Sequence, residues 1–262
     1  MITAQQVKEL RDRTGVGMAD CKNALVEADG DIELAIEILR KKGIAKAAKR
    51  AENETKEGKI KIITEGNVKY IVAVSCETDF VAINETFDEM LNKFVEIRKN
   101  AATDEEAIVI ADELKSTEYQ LKMGENMRIL ALTKVSGDVV ESYVHSNNKV
   151  AAIVVAKAGT DSDNLKQVAM HITATNPEVL SPTEITQEVI AKEKEIQLEL
   201  MQQDPKNAGK PAEILEKIID GKMNKFKEEN ALLTQQFVIN PDIKVQDFIG
   251  ADSIVSFKRF AI

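Results

Sequence analysis

An acidic side chain and a large aromatic ring stand together at Asp79 and Phe80, in the segment Glu77-Thr78-Asp79-Phe80-Val81 that directly follows the apolar run from Tyr70 to Cys76. Where a strand ends and a loop begins, such a pair suits a wedge: the ring enters a partner's apolar pocket while the carboxylate accepts a hydrogen bond from a backbone N–H. The competing reading is that Phe80 plugs the protein's own core, the ordinary fate of a phenylalanine. Residue type alone favours that second reading, so other features of the chain must decide.

Conventional catalytic chemistry is missing. No G-x-x-x-x-G-K-[ST] loop, G-x-G-x-x-G turn, G-x-S-x-G elbow or H-E-x-x-H pair occurs. Gly15 and Gly17 are too few to cradle a phosphate and suit a sharp turn between helices. With 2 histidines, general acid–base options are sparse. His145 lies in a strand–turn context that can face a partner, whereas His171 shares a helix face with Leu165, Val168 and Ile172 and reads as a packed, hydrogen-bonded side chain. Cys21 and Cys76 are far apart and read as reduced thiols behaving as small hydrophobes. A zinc site from these cysteines and the two histidines lacks any C-x-x-C or H-x-x-x-H pairing. The expectation is no enzyme, no catalytic residue, no metal and no cofactor.

Charge narrows the partner class. The 262 residues carry a net charge of −9, yet residues 1–50 hold ten Lys and Arg against eight Asp and Glu, so the rest carries −11. An acidic body is a poor general nucleic-acid binder, because phosphate contacts need clustered cations. A protein partner is favoured over nucleic acid. The longest apolar runs, Ala151 to Ala156 and Tyr70 to Val74, fall far short of the roughly 20 residues of a membrane span. Lys8, Glu9, Arg11, Asp12 and Arg13 interrupt any signal-peptide core, so a cytoplasmic protein without membrane contact is expected.

The elements that must position these residues follow from periodicity. Thr3-Ala4-Gln5-Gln6 is a capping box opening a helix that stops at Thr14-Gly15. Met18, Cys21, Ala24, Leu25 and Ala28 repeat at helical spacing, and Asp31 caps a third helix with Ile32, Ala35, Ile36 and Leu39 on one face, ending near Gly43. The basic run Arg40, Lys41, Lys42, Lys46, Lys49 and Arg50 then leads into a polar linker. Beyond it the period becomes two: Ile60 and Ile62, then Tyr70, Val72, Val74 and Cys76, alternate around a hairpin signal at Glu65-Gly66-Asn67.

Two helices follow, one capped by Asn84 with Phe87, Met90, Leu91, Phe94 and Val95 inward, the other opened by Thr103-x-x-Glu106. Strands are predicted at Arg128 to Val135, Val139 to His145 and Lys149 to Ala156, then a helix from about Ser162 to Ala174. Ser181-Pro182-Thr183-Glu184 signals a helix start. Its apolar stripe is Ile185, Val189, Ile196 and Leu200, and after a loop from Asp204 to Pro211 a second helix answers with Leu215, Ile219, Met223 and Phe226. The pair reads as an antiparallel hairpin, with leftover apolar surface available to a second copy. A last strand is expected from Ser253 to Phe260. The fold class is therefore α+β: an N-terminal three-helix module with a basic linker over 1–52, a core lobe over 53–138, a second lobe from 139–180 with 230–262, and the hairpin over 181–229.

Several of these stretches resemble one family in the same order. Val7 to Leu25, Asp29 to Ile36 and Arg40 to Arg50 are similar to the opening of bacterial elongation factor Ts; Cys76 to Ala82 (C-E-T-D-F-V-A) is similar to its signature loop, and Gly124 to Asn126, Ser142 to His145 and Ala169 to Ile172 also correspond. The resemblance implies guanine-nucleotide exchange on elongation factor Tu, through its GTPase domain and a second domain. It implies a UBA-like N-terminal module, a two-lobed α+β core with antiparallel sheets and a dimerising helical hairpin. Carried over residue by residue, Phe80 is the wedge near the partner's Mg²⁺ site, Asp79 its hydrogen-bonding anchor, and Thr78 and Val81 shape the loop. His145 packs near the same site, and Arg11, Met18 and Lys22 help dock the N-terminal module. The chain ends at Ile262, where many members continue into a further helical module. Two other readings are an RNA-binding accessory protein using Arg40 to Arg50, and a helical-hairpin scaffold without exchange activity.

Overall fold

The computed structural model describes residues 2–203 and 210–262. Two compact units divide the chain: Met1–Ser136 with Val144–Val150 and Phe260–Ile262, and Gly137–Tyr143 with Ala151–Arg259. The mixture of helices and antiparallel sheets makes the fold α+β.

In the first unit, α1 (Ala4–Thr14), α2 (Met18–Glu27) and α3 (Ile32–Arg50) enclose Leu10, Cys21, Ala24, Leu25, Ala35 and Leu39. The Thr3–Gln6 capping box forms as read, and Gly15 takes φ 69° to end α1. Gly43 does not end α3, which runs on to Arg50. A Cβ at Gly43 would lie 2.8 Å from Leu121 Cδ1, so this glycine serves close approach within a helix rather than a left-handed cap.

The sheet order is β1 (Glu57–Glu65), β2 (Val68–Cys76), β3 (Met127–Ser136), with Glu65 paired to Val68 across the expected turn and Cys76 paired to Met127. Alternate β2 residues Val72, Val74 and Cys76 meet Phe87, Met90, Leu91, Phe94 and Val95 of α5 (Glu85–Asn100) in one apolar core. Between β2 and α5 lies a single helical turn, α4 (Asp79–Ala82). Past α6 (Asp104–Leu114) the chain makes a π-helical turn, Lys115–Tyr119, before α7 (Gln120–Met123), an irregularity no residue spacing announced.

In the second unit, β4 (Val139–Val144), β5 (Val150–Ala156) and β8 (Ile254–Ala261) form a sheet in that order. Its core joins Ala152, Val154 and Ala156 to Leu165, Val168, Ala169 and Ile172 of α8 (Ser162–Thr175). Two short strands, β6 (Gln236–Phe237) and β7 (Asn240–Lys244), pair with each other. Ser181-Pro182 starts only a 3₁₀ turn, Pro182–Glu184. Ile185 leaves helical geometry (ψ 119°) to bury its side chain, and α9 (Gln187–Gln203) begins afterwards.

The stripe assigned to α9 is also corrected. Val189, Ile196 and Leu200 are exposed, while Ile190, Glu193 and Gln197 are half-buried and Met201 is buried. Met201 packs with Ile219 and Met223 of α10 (Ala212–Asn230), and Gln197 Oε1 accepts from Lys222 Nζ at 2.9 Å. A contact face that includes Glu193 and Gln197 shifts the true inner face one residue from the apolar one. Most of the loop predicted from Asp204 to Pro211 lies outside the described residues.

His171 is fully buried, and its ring lies 5.7 Å from that of Phe237. Val238 N–H donates to Nδ1 at 3.1 Å, which leaves Nε2 to donate to Gln235 Oε1 at 2.8 Å. Burial holds the imidazole below its ordinary value of 6.5, against a smaller raising contribution from Gln235. The unfolded chain therefore binds this proton more readily, so the stability contributed is present above about pH 6.5 and is lost as pH falls. Between pH 7 and 5, where ordinary carboxylates stay ionised, the melting temperature of the second unit is expected to drop, with NMR placing the His171 titration below 6.5. A His171 titrating at or above that value would contradict this.

Candidate functional site

The Asp79–Phe80 pair sits on a helical turn, not a loop. Thr78 takes extended geometry (φ −126°, ψ 155°) and its Oγ1 accepts from Val81 N at 3.4 Å, making it the N-cap of α4. Val81 and Ala82 are buried in the first unit's core, which fixes the turn's orientation. With those two positions inward, Asp79, Phe80 and Ile83 face outward: Phe80 is 77% exposed and Ile83 75%. Phe80 is thus not a core residue. Its exposure leaves about a full aromatic side chain in water beside a second apolar group three residues on. The exposure of Ile83 is not announced by the segment, which does not distinguish it from a core position.

The turn is held by residues distant in sequence. Glu125 accepts from Glu77 N at 3.1 Å, Thr78 N at 3.0 Å and Thr78 Oγ1 at 2.5 Å. Glu77 in return accepts from Asn126 N at 2.6 Å and from Asn53 Nδ2 at 3.0 Å. Asn126 Nδ2 donates to Ala51 O and Asn53 O, tying the end of α3 to the same cluster. Inside it, Cys76 Sγ donates to Thr78 O at 3.2 Å, and burial, then the nearby Glu125 and Glu57 carboxylates, push the thiol up to about 12. Burial also raises Cys21. Neither thiol is expected to react with a neutral disulfide reagent while the chain is folded, and both are expected to react after denaturation. Rapid labelling of Cys76 in the native protein would contradict the packing described.

His145 is exposed on the hairpin between β4 and β5, where its N–H donates to Val150 O and its carbonyl accepts from Asn148 N, each at 2.8 Å. That hairpin lies along β1: Ile60 N donates to Asn148 O at 2.7 Å, and Lys149 Nζ pairs with Glu57 at 2.5 Å. Glu57 is the cross-strand partner of Cys76, so the sheet brings the His145 hairpin to the end of the sheet that carries Thr78. Arg11, Met18 and Lys22 are exposed around the α1–α2 turn, away from the buried face of the three-helix module. Of the basic run, Lys42 is paired with Glu27 and Lys41 with Glu37, as on an ordinary solvated helix. Among the described residues no group of His, Cys, Asp and Glu is arranged to hold a metal, and no helix is long and apolar enough to cross a membrane.

The described residues thus present one outward-facing aromatic turn whose flanks are held by hydrogen bonds from distant segments. Comparison with known proteins gives the family. The family model described as Elongation factor TS matches residues 77–262. The elongation factor Ts of Serratia proteamaculans is 42% identical over 265 residues, covering all of this chain and 91% of the relative. That of Marinobacter nauticus is 42% identical over 268 residues and that of Pseudomonas syringae pv. tomato 44% over 265, with the same coverage. The chain belongs to the elongation factor Ts family and is a translation elongation factor.

Proposed function

We propose that this chain binds elongation factor Tu and promotes release of its GDP, with the Thr78–Val81 turn as the acting element. A GTPase holds GDP partly through a Mg²⁺ that bridges phosphate oxygens and protein ligands. A factor that binds the nucleotide-free state better than the GDP state must weaken GDP by the same coupling free energy. Phe80 fills an apolar pocket beside the partner's Mg²⁺ site and displaces it; Asp79 anchors the turn by accepting hydrogen bonds. Thr78, as N-cap, and Val81, as the buried foot, hold the ring outward. His145 flanks this site, while Arg11, Met18 and Lys22 dock the three-helix module on the GTPase domain. The chain does no covalent chemistry of its own and uses neither nucleic acid nor membrane. The exposed Val189, Ile196 and Leu200 of α9 offer a face for a second copy of the 181–229 hairpin.

The observation that carries this reading is the 77% exposure of Phe80 on a turn whose neighbours are locked in place. Reciprocal linkage supplies its test. Gel filtration is expected to show a stable complex with nucleotide-free elongation factor Tu that dissociates on adding GDP. A complex indifferent to GDP, or none, would refute the reading.

A further inference from the structure

We infer that Glu125 is a positioning residue for exchange: its carboxylate sets the angle at which Phe80 leaves the body of the protein. The inference rests on the exchange reading above. Three donors converge on this one side chain, Glu77 N, Thr78 N and Thr78 Oγ1, and all belong to the two residues immediately before the turn. Backbone N–H groups at the end of a strand lose their ladder partners, and a carboxylate that accepts two of them fixes both peptide planes. It also orients the Thr78 hydroxyl, whose oxygen caps α4 from the other side by accepting from Val81 N. Glu77 closes the clasp in the opposite direction by accepting from Asn126 N.

Geometry then separates two jobs. Val81 and Ala82 fasten the inner face of the turn to the core, which resists translation. Glu125 fastens its leading end, which resists rotation about that foot. A ring that must enter a pocket loses its effect through small errors of direction, whereas the remaining docking surfaces are unaffected by them. Glu125 therefore governs how well the bound factor works more than how tightly it binds.

The test is Glu125→Gln, which keeps the shape but removes the charge and leaves one acceptor oxygen to serve either the two N–H groups or the Thr78 hydroxyl proton, not both. Release of a fluorescent GDP from elongation factor Tu is followed against factor concentration. The maximal rate is expected to fall about tenfold, with the half-saturating concentration changed less than about twofold. In a Phe80→Ala background the same substitution is expected to change little, because the ring it aims is absent. Hydrogen exchange at the amides of Glu77 and Thr78 should quicken while the rest of the first unit stays protected. Thr78→Val, which removes the hydroxyl both as donor to Glu125 and as the cap acceptor for Val81 N, serves if Glu125→Gln does not fold, with an expected loss of about threefold.

An unchanged maximal rate would overturn the positioning role while leaving the exchange reading intact. An equal loss in the Phe80→Ala background would mark Glu125 as a general structural or direct-contact residue and overturn it too. No acceleration by the unaltered chain would overturn the exchange reading and this inference with it.

Discussion

Phe80→Ala is expected to lower the maximal rate of GDP release from elongation factor Tu by about two orders of magnitude, because a central aromatic anchor typically contributes 2–4 kcal/mol at an interface. The same substitution should leave the melting temperature of the free chain unchanged. Phe80 is 77% exposed, so truncating it removes no packed contact and creates no cavity. Circular dichroism melting beside the release assay separates the two effects. A variant that melts early would mean that the ring supports the fold, and a variant that exchanges normally would mean that it does not act on the partner.

Phe87→Ala, seven residues away, is expected to do the reverse. Phe87 is fully buried on the first turn of α5, within the same cluster as Val74, Cys76 and Met90. Truncation leaves a cavity that surrounding helices and strands only partly close, at a cost of about 3–5 kcal/mol. For a unit of this size that is a fall of about 10 °C in melting temperature. Molecules still folded at low temperature should exchange nearly normally, since α4 keeps its own buried residues Val81 and Ala82 and the hydrogen bonds that Glu125 accepts. A Phe87→Ala chain that melts like the unaltered one would show that Phe87 does not support the core of the first unit.

These two phenylalanines show what was legible in the sequence. Phe87 belongs to a helical repeat with Met90, Leu91, Phe94 and Val95, and the structure buries all five. Periodicity carries that information because one face of a helix must meet one core. Phe80 has no periodic companions, so its exposure was readable only through the likeness of Cys76 to Ala82 to a family loop. The turn at Asp79–Ala82 and the exposure of Ile83 were not legible, because four residues span barely one 3.6-residue period and leave no repeat to read.

The clasp around Thr78 was invisible for a different reason: Glu125 lies 47 residues away, and β2–β3 pairing brings it in. Local signals also misled at Gly43 and at Ser181-Pro182. At the first, Leu121 requires the missing Cβ inside a helix; at the second, burial of Ile185 stops a well-capped turn after three residues. On α9 the stripe of Val189, Ile196 and Leu200 marks the exposed side, since Glu193 and Gln197 join Ile190 and Met201 on the inner one. Hydrophobic spacing identifies a stripe without saying which neighbour covers it.

Whether this chain drives GDP off elongation factor Tu is read most directly by stopped-flow release of a fluorescent GDP. With saturating unaltered chain, release should be at least about a hundredfold faster than from elongation factor Tu alone, a barrier lowered by roughly 3 kcal/mol. Release at the intrinsic rate, under conditions where the two proteins demonstrably form a complex, would contradict the exchange reading.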